Sequence, residues 1–252
     1  PTGNFQWVEN IDPTTTPTDG EKGYVFEVDL EYPKELHDLH NDYPLAPETI
    51  KIESSMLSFY SRSLHKKFNG SSFQETKKLA PNLRDKQRYI LHHRNLCQYV
   101  SLGMKLVKIH RTLQFNQSPW LKRYVDFNTE RRKESTNNFD RDFYKLMTNS
   151  VYGKTIENVR NRSNVHLVSD IEKRNKLVSK PTYKSTKIFT ENLVAITSQK
   201  TNIHLNKPIY VGFSILDLSK TLMYDFHYNF LKQNFPSANL LFTDTDSLCY
   251  EI

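Results

Sequence analysis

Alternating apolar and polar positions predict a strand near the start of the chain. In the segment GYVFEVDLEYP, the apolar residues Tyr24, Phe26 and Val28 alternate with Val25, Glu27 and Asp29. Because side chains alternate between the two faces of a strand, this spacing predicts a strand that carries Asp29 near its end and stops before Pro33. A second strand is predicted where apolar side chains share one face between Val107 and Phe115.

Helical spacing of apolar positions predicts longer helices farther along the chain. The first is expected from Leu83 to Leu102, with Gly103 as its C-cap, and the clearest covers 137–160. A short helix should open with Ser118 as N-cap and Pro119 at its first position. A strong helix is expected in GFSILDLSKTLMYDFHYNFLKQNF, and its predicted packing stripe consists of Leu218, Leu222, Phe226 and Phe230.

The remaining segments have less regular patterns. Residues 4–20 are predicted to form a loop, residues 50–80 an irregular exposed insertion, and residues 161–206 a mixture of short strands and basic loops. At the end of the chain, NLLFTDTDSLCYEI has two apolar runs around a polar centre. This pattern predicts a hairpin with Asp244 and Asp246 in its turn.

Composition indicates a folded domain. The chain has 252 residues, of which 37% are hydrophobic and 12% aromatic, enough for a packed core. No apolar run approaches the length of a membrane span, and the N-terminus lacks signal-peptide character. Because the sequence begins without Met, we expect a piece of a longer protein. The two cysteines form no CxxC pair, which favours a reducing, intracellular compartment.

Charge is unevenly distributed along the chain. Between Glu9 and Glu53 there are 12 acidic and 3 basic side chains, whereas between Arg62 and Arg111 there are 12 basic and 2 acidic. Aromatic residues and histidines interleave with the basic run, so we expect a polyanion partner in addition to a solvated surface. The candidate DNA contacts in this run are Lys77, Lys78, Arg84 and Lys86. The acidic run would repel DNA unless it bound cations.

The acidic residues have the chemistry of a divalent-metal site. Asp29 ends one strand, and in an extended turn Asp244 and Asp246 would point to the same side. Carboxylate oxygens suit Mg²⁺, and two such ions would support nucleotidyl transfer. A DxD sequence by itself is more often a structural turn. The case for a metal site rests on the apolar strands that flank the DxD sequence and on Asp29 at the end of another strand.

A cationic stripe on the clearest predicted helix suits an incoming triphosphate. Arg141, Lys145, Asn149 and Tyr152 follow one another at helical spacing, and the alternative is an ordinary solvated face. Tyr32 is either an ordinary strand-end aromatic or a ring beneath the sugar that rejects a 2′-hydroxyl. The chain contains neither GxxxxGK[ST] nor GxGxxG, so nothing favours a P-loop or Rossmann fold.

Three ordered motifs resemble those of family B DNA polymerases. DLEYP resembles the first motif, usually DxxSLYP; KLMTNSVYGKT resembles the second, Kx₃NSxYG; and DTDS resembles the third. The short second motif and its following Lys154 look most like the protein-primed branch. The wider context, including DYPLAPE and VSLGMKLVKIHRTLQF, is similar to polymerases of Maverick/Polinton-type transposons and related viruses.

The resemblance implies an α+β fold: a polymerase palm with an antiparallel sheet backed by helices, helical fingers and palm insertions. It implies that Asp29 and Asp246 hold two Mg²⁺ ions, with Mn²⁺ as the alternative, and that Asp244 lies beside them. Leu30 would offer its carbonyl, and Tyr32 would be the sugar gate. The residues implied to hold the triphosphate are Lys133, Arg141 and Lys145, and Asn149 and Tyr152 would sense base-pair fit. Lys154 is a further candidate DNA contact.

The resemblance also implies a domain plan and a set of partners. The palm would comprise 1–53, 83–118 and 207–252, the fingers 119–160, and the two insertions 54–82 and 161–206. The proofreading exonuclease and the thumb are absent from the sequence. The implied partners are primer-template DNA, deoxynucleoside triphosphates and a terminal protein, without a membrane. The nucleus would be the location for a eukaryotic mobile element.

One departure and two alternatives accompany the resemblance. Glu31 stands where the family usually has Ser or another small residue, so it either disturbs the nucleotide or points away. The main alternative is a truncated, inactive remnant that only binds DNA. A metal-dependent nuclease would also use clustered carboxylates but would not need the second motif.

Overall fold

A computed structural model describes residues 1–69, 73 and 75–252. These residues form two compact units, one built from 1–119 and 214–252 (unit 1) and the other from 120–213 (unit 2). The FNGSS part of the predicted exposed insertion falls largely on 70–72, outside the described residues. No helix in the described ranges has both the length and the apolar character that crossing a bilayer requires.

Unit 1 begins with most of the strands. In chain order its first elements are β1 (Gly3–Val8), β2 (Lys22–Glu31), α1 (His37–His40), β3 (Glu48–Lys51), α2 (Phe59–Asn69), β4 (Lys77–Ala80), β5 (Lys86–His92), α3 (His93–Ser101) and β6 (Lys105–Asn116).

Unit 2 contains two long helices and a small sheet. Its elements are α4 (Lys122–Glu134), α5 (Asn138–Thr155), β7 (Ser163–Val168), α6 (Ile171–Val178), β8 (Tyr183–Thr190) and β9 (Leu193–Gln199). The next helix, α7 (Ile209–Asp225), belongs to unit 1 from residue 214 onward. Unit 1 then continues with a π-helical turn (Phe226–Leu231), α8 (Lys232–Asn234), β10 (Asn239–Asp244) and β11 (Ser247–Glu251).

The described strands form antiparallel sheets. The main sheet of unit 1 has the order β1-β6-β2-β5, and β3-β4 and β10-β11 form separate two-stranded sheets. Unit 2 contains the sheet β7-β9-β8. Helix α3 packs against β2 and β5. The predicted α+β class, with antiparallel sheets backed by helices, is confirmed.

The core of unit 1 lies on one face of β2. Phe26, Val28 and Leu30 point into it and pack with residues of α3 such as Tyr99. These apolar side chains alternate along β2 with acidic ones, as the sequence pattern predicts. Gly103, after α3, has φ +102°, and a Cβ there would lie 2.9 Å from the side chain of Leu36. A glycine is therefore required at this C-terminal turn.

Strands β2 and β6 and the closing hairpin agree with the sequence patterns, whereas several other predictions are wrong. The segment 83–102 is not one helix: β5 pairs with β2, and α3 begins only at His93, after His92 as N-cap. The predicted loop 4–20 contains β1, which pairs with β6. The predicted irregular segment 50–80 contains α2 and β4, and α4 begins at Lys122 without the predicted Ser118 cap.

The predicted packing stripe of the last long helix is also wrong. Leu222 is 70% exposed, and Phe226 and Phe230 are exposed as well. The core instead receives Tyr224 and Tyr228. Leu222 and Tyr224 both precede the π-helical turn, so that turn does not explain the difference. The buried face follows Ser214, Asp217, Tyr224 and Tyr228 at helical spacing, and its polar members hide it from a count of apolar positions.

Buried histidines predict acid sensitivity of unit 1. Burial is the main cause that lowers the pKa of His40, His92 and His227 to about 4, whereas a free histidine has a pKa of about 6.5. The folded state keeps them neutral, so their contribution to stability is fully present above about pH 6.5. It is lost as the pH falls towards 4, by about 1.4 kcal/mol per pH unit for each histidine.

We expect His40→Gln to reduce this slope, measured as the urea-unfolding free energy of unit 1 between pH 7 and pH 4.5. The reduction should be about 1.4 kcal/mol per pH unit, because glutamine cannot take up the proton. His65→Gln in α2, where the histidine is only half-buried, is the matched control for the loss of an imidazole. Equal slopes for His40→Gln and wild type would contradict the assignment.

Candidate active site

Asp29 lies at the end of β2 with both carboxylate oxygens engaged. The backbone N–H of Arg88 donates to Oδ1 at 2.8 Å, and Nε2 of His110 lies 2.8 Å from Oδ2. The Arg88 N–H, followed by His110, lowers the pKa of Asp29 below its usual value. The side chain remains 27% exposed. Asp29 is therefore an ionised carboxylate that still reaches solvent.

An irregular backbone in β5 directs the Arg88 N–H at Asp29. Arg88 has φ +51°, and the pairing of β2 with β5 shifts register between Val28 and Leu30. A bulge of this kind re-aims backbone and side-chain groups and is common next to active sites. A non-glycine residue in the left-handed region is held there by its surroundings. Here the Asp29 carboxylate supplies one of the holding contacts.

Glu27 is a second acid on the same strand, and the sequence analysis missed it. Its carboxylate accepts hydrogen bonds from Nε of Arg88, at 2.9 Å, and from Nε of Arg111. Arg111 first, and then Arg88, lowers the pKa of Glu27. In DxxSLYP the acid stands five positions before the tyrosine. Counting back from Tyr32 gives Glu27, whereas Asp29 is only three positions away. That spacing was the signal in the sequence that could have found this residue.

Glu31 and Leu30 take opposite faces of β2. Oε1 of Glu31 accepts from Nζ of Lys105 at 2.9 Å, on the face shared with Glu27 and Asp29. Leu30 is buried in the core. Glu31 is therefore paired with a surface cation of the same sheet.

Tyr32 is packed inside unit 1. Its hydroxyl lies 2.9 Å from Nδ1 of His40 and accepts from the N–H of Leu45 at 3.2 Å, and its own N–H donates to Asp85. Burial raises the pKa of Tyr32 to about 12, so the phenol is neutral. With 3% exposure, the ring contributes to the core. Its role as a sugar gate stays a prediction.

The DTDS segment forms the turn of the β10–β11 hairpin. Thr245 has φ +53°, and the N–H of Asp246 donates to the carbonyl of Asp244 at 2.6 Å. The hydroxyl of Ser247 donates to the same carbonyl at 3.0 Å. The expectation of an extended turn is therefore wrong, because a left-handed residue separates the two acids. Both carboxylates are exposed at the tip of the hairpin.

Asp29, Asp244 and Asp246 fit a divalent metal in kind, because all three offer carboxylate oxygens. Among the described residues, however, no group of three or more Asp, Glu, His or Cys side chains is gathered so as to hold a metal ion. The hairpin is a separate sheet and has no strand pairing with β2. Their assignment as metal ligands stays a prediction.

Helix α5 of unit 2 carries most of the predicted nucleotide-binding residues. Asn137 caps it by accepting from the N–H of Asp140 at 2.8 Å. Lys145 and Asn149 are exposed, and Tyr152 is half-buried. Nε of Arg141 donates to the carbonyl of Ser135 at 3.1 Å. Lys133 is exposed on α4. The helix thus presents cationic and amide groups to solvent, as its predicted role requires.

The predicted DNA contacts differ in their surroundings. Lys77, Lys78 and Arg84 are exposed in unit 1. Lys154, in unit 2, pairs with Glu157 at 3.3 Å. The prediction is wrong for Lys86, which is 1% exposed and whose Nζ lies 2.8 Å from Oε1 of Glu48. Because that ammonium is enclosed and paired, a phosphate does not reach it in this structure.

Comparison with known proteins gives a family and a set of similar folds. The family model described as DNA polymerase type B, organellar and viral, matches residues 1–232. Comparison with the curated proteins found no match. A solved structure of phi29 DNA polymerase with primer-template DNA and incoming nucleotides shares 14% identity at a TM-score of 0.48. An orthorhombic crystal form of phi29 DNA polymerase shares 14% at a TM-score of 0.44. Each alignment covers 97% of this chain and 33% of the phi29 chain, so the chain spans about a third of that polymerase.

Proposed function

Because this chain belongs to the organellar and viral DNA polymerases of type B, we propose that it is the nucleotidyl-transfer core of a DNA-directed DNA polymerase. The observation that carries the proposal is the construction of unit 1. An ionised, partly exposed Asp29 ends a central strand, and a hairpin of the same unit presents two further carboxylates at its tip. The family match ends at residue 232, so the hairpin is evidence in addition to it.

In the proposed mechanism, Asp29, Asp244 and Asp246 would hold two Mg²⁺ ions, or Mn²⁺ in their place. Such ions, when bound, lower the pKa of the attacking primer hydroxyl and neutralise the departing pyrophosphate. The chain's own contribution is to keep the carboxylates ionised and oriented. The Arg88 N–H does both for Asp29, because it favours the charged form and fixes one oxygen.

The proposed nucleotide contacts are residues of the first and second motifs and two cations that precede the second. Arg141, Lys145 and Lys133 bind the triphosphate, since exposed cations meet phosphate oxygens with charge-assisted hydrogen bonds. Asn149 and Tyr152 test the fit of the new base pair. At the end of β2, Leu30 offers its backbone carbonyl and Tyr32 excludes the 2′-hydroxyl of a ribonucleotide.

The proposed partners are primer-template DNA, deoxynucleoside triphosphates and a terminal protein that supplies the priming hydroxyl. Protein priming is supported by the short second motif and the following Lys154. Exposed Lys77, Lys78 and Arg84 are the proposed phosphate contacts of unit 1. An intracellular site is proposed, and the nucleus if the gene belongs to a eukaryotic mobile element.

A remnant that binds DNA without synthesis is the second candidate. The observation in its favour is that the described residues do not gather three metal-binding side chains at the acid motifs. The two candidates agree on DNA binding and disagree on primer extension.

Primer extension by the full gene product should therefore depend on the carboxylates. We expect Asp29→Asn and Asp246→Asn each to lower kcat by at least about 100-fold, the scale typical of losing one electrostatic stabiliser of a transition state. Glu27→Gln is compared with Asp29→Asn, because the acid of β2 whose loss lowers kcat more is the one that belongs to the first motif. Asp38→Asn, an exposed acid of α1, is the control and should keep wild-type activity. Full activity of Asp246→Asn, or a wild type that binds DNA without extending it, would favour the remnant.

Charge reversal tests the DNA surface. Replacing Lys77, Lys78 and Arg84 with Glu should flatten the dependence of log Kd on log salt, by about 0.9 for each phosphate of duplex DNA that the protein no longer neutralises. Fluorescence anisotropy across a salt series measures this slope. Lys34→Glu, an exposed lysine of the acidic run, is the control. An unchanged slope in the triple variant would locate the DNA elsewhere.

Sugar discrimination tests Tyr32 with two variants that separate bulk from hydrogen bonding. Tyr32→Val removes the ring and should raise ribonucleotide incorporation while leaving most deoxynucleotide incorporation. Tyr32→Phe keeps the ring but removes the hydroxyl that contacts His40 and Leu45, so it should lower stability by about 1–3 kcal/mol and keep discrimination. If both variants only destabilise the protein, Tyr32 is a packing residue. Glu31→Ser tests whether that acid contributes.

A further inference from the structure

The two acid-bearing elements of unit 1 are not joined by backbone pairing. Among the described strands, β2 belongs to the main sheet and β10–β11 is a separate sheet. A reaction that uses carboxylates from both requires their separation to be held within a fraction of an ångström. Side-chain contacts must therefore supply a link that the sheets do not.

The π-helical turn at Phe226–Leu231 lies between these elements in sequence and brings two polar aromatic residues into the core. His227 and Tyr228 are consecutive, and they are 0% and 6% exposed. In a regular α-helix two consecutive residues point about 100° apart. π-helical turns are rare and occur often at functional sites.

On the hairpin side, His227 contacts β11. Its Nδ1 lies 2.8 Å from the hydroxyl of Tyr250, and the two rings are stacked with centroids 5.8 Å apart. Lys232, just after the turn, donates from Nζ to the carbonyl of Ala238 at 2.7 Å, immediately before β10. Both strands of the hairpin are thus anchored to the same helical segment.

On the β2 side, Tyr228 contacts His40. Their ring centroids are 4.7 Å apart, and Nδ1 of His40 lies 2.9 Å from the hydroxyl of Tyr32. Tyr228 also donates to the carbonyl of Tyr43 at 2.6 Å. The Tyr32 hydroxyl accepts from the N–H of Leu45, and its own proton can be donated to Nδ1 of His40.

The cluster keeps polar atoms that a purely apolar core would lack. Nε2 of His40 and Nε2 of His227 are buried and have no hydrogen-bond partner among the described residues. Such groups cost free energy, so their presence in a native core calls for a reason other than stability. Fixed geometry between neighbouring elements is such a reason.

We propose that His227 and His40 are positioning residues. Through Tyr250 and Tyr32 they fix the hairpin that carries Asp244 and Asp246 relative to the end of β2 that carries Asp29. The catalytic consequence rests on the proposed polymerase function. The structural link between the hairpin and β2 does not depend on that function, and amide hydrogen exchange measures it separately.

The test compares substitutions of one hydrogen bond in the full gene product. Tyr250→Phe removes only the hydroxyl, His227→Leu removes the acceptor, and His227→Asn keeps an acceptor oxygen close to the position of Nδ1. Tyr60→Phe, on an exposed tyrosine of α2, is the matched control. The measurements are amide hydrogen exchange in 239–251 and in 30–45, with 163–199 of unit 2 as an internal reference, and kcat and KM for a deoxynucleotide.

We expect Tyr250→Phe and His227→Leu to raise exchange about tenfold in both segments of unit 1, the scale of one buried hydrogen bond. kcat should fall about tenfold while KM stays within about twofold, because misplaced carboxylates affect the chemical step more than binding. His227→Asn should restore both readouts. Faster exchange in the hairpin alone, or wild-type behaviour of both variants, would overturn the proposal. If the wild type extends no primer, the polymerase function fails and the exchange data alone decide the link.

Discussion

The antiparallel pairing of β2 with β5 on one side and β6 on the other is the constraint on which unit 1 depends. It holds ten residues, Lys22–Glu31, in the centre of the main sheet. It also sends Phe26, Val28 and Leu30 into the core, and the alternating acids to the opposite face. A slip of one residue would exchange these two sets and bury the carboxylates in an apolar core, at a cost far above that of any single contact. The location of Asp29 therefore follows from the register of a strand.

The same pairing accounts for part of the charge asymmetry along the chain. Basic residues of β5 and β6 lie beside the acids of β2, so Arg111 meets Glu27, His110 lies next to Asp29 and Lys105 meets Glu31. Glu27 and Glu31 of the acidic run are thus compensated across the sheet by cations of the basic run. Arg88, Lys105 and Arg111 are exposed but already paired with acids. Among the described residues, the exposed cations of the basic run without an ion pair, such as Lys77 and Lys78, are therefore fewer than its raw count. Counting charge by segment overstated the basic surface because antiparallel strands bring distant segments together.

Sequence patterns predicted the elements whose periodicity is set locally and failed where a tertiary partner decides. β2, β6, α5 and the hairpin each carry a regular pattern, and each is present. β5 was predicted as the start of a helix because its spacing fits one, but hydrogen bonds to β2 make it a strand. In the last long helix the buried face carries Ser214 and Asp217 beside its tyrosines, which no apolar repeat signals, so Tyr224 and Tyr228 are buried where Leu222 and Phe230 were expected. For the site, apolar patterns located the acid-bearing ends of β2 and of the hairpin. Finding Glu27 requires counting five positions back from Tyr32, the spacing of DxxSLYP. The left-handed Thr245 has no signature in the sequence.

The acids are held by backbone pairing within each sheet and by side-chain contacts between the sheets, and these two kinds of support respond differently to substitutions. Backbone pairing fixes each acid within its own sheet, and that pairing depends little on which side chains are present. The relation between the sheets depends on a few buried aromatic and imidazole rings, whose positions change with a single substitution in a close-packed core. Sequence variation in β2 or the hairpin away from the acids and from Tyr250 should then mainly alter the stability of unit 1. Variation at His40, His227, Tyr228 or Tyr250 should alter the distance between carboxylates that a shared ion would need, even where the fold is kept. Precision in this candidate site is thus a property of side-chain packing, and that is the level at which apolar periodicity carries the least information.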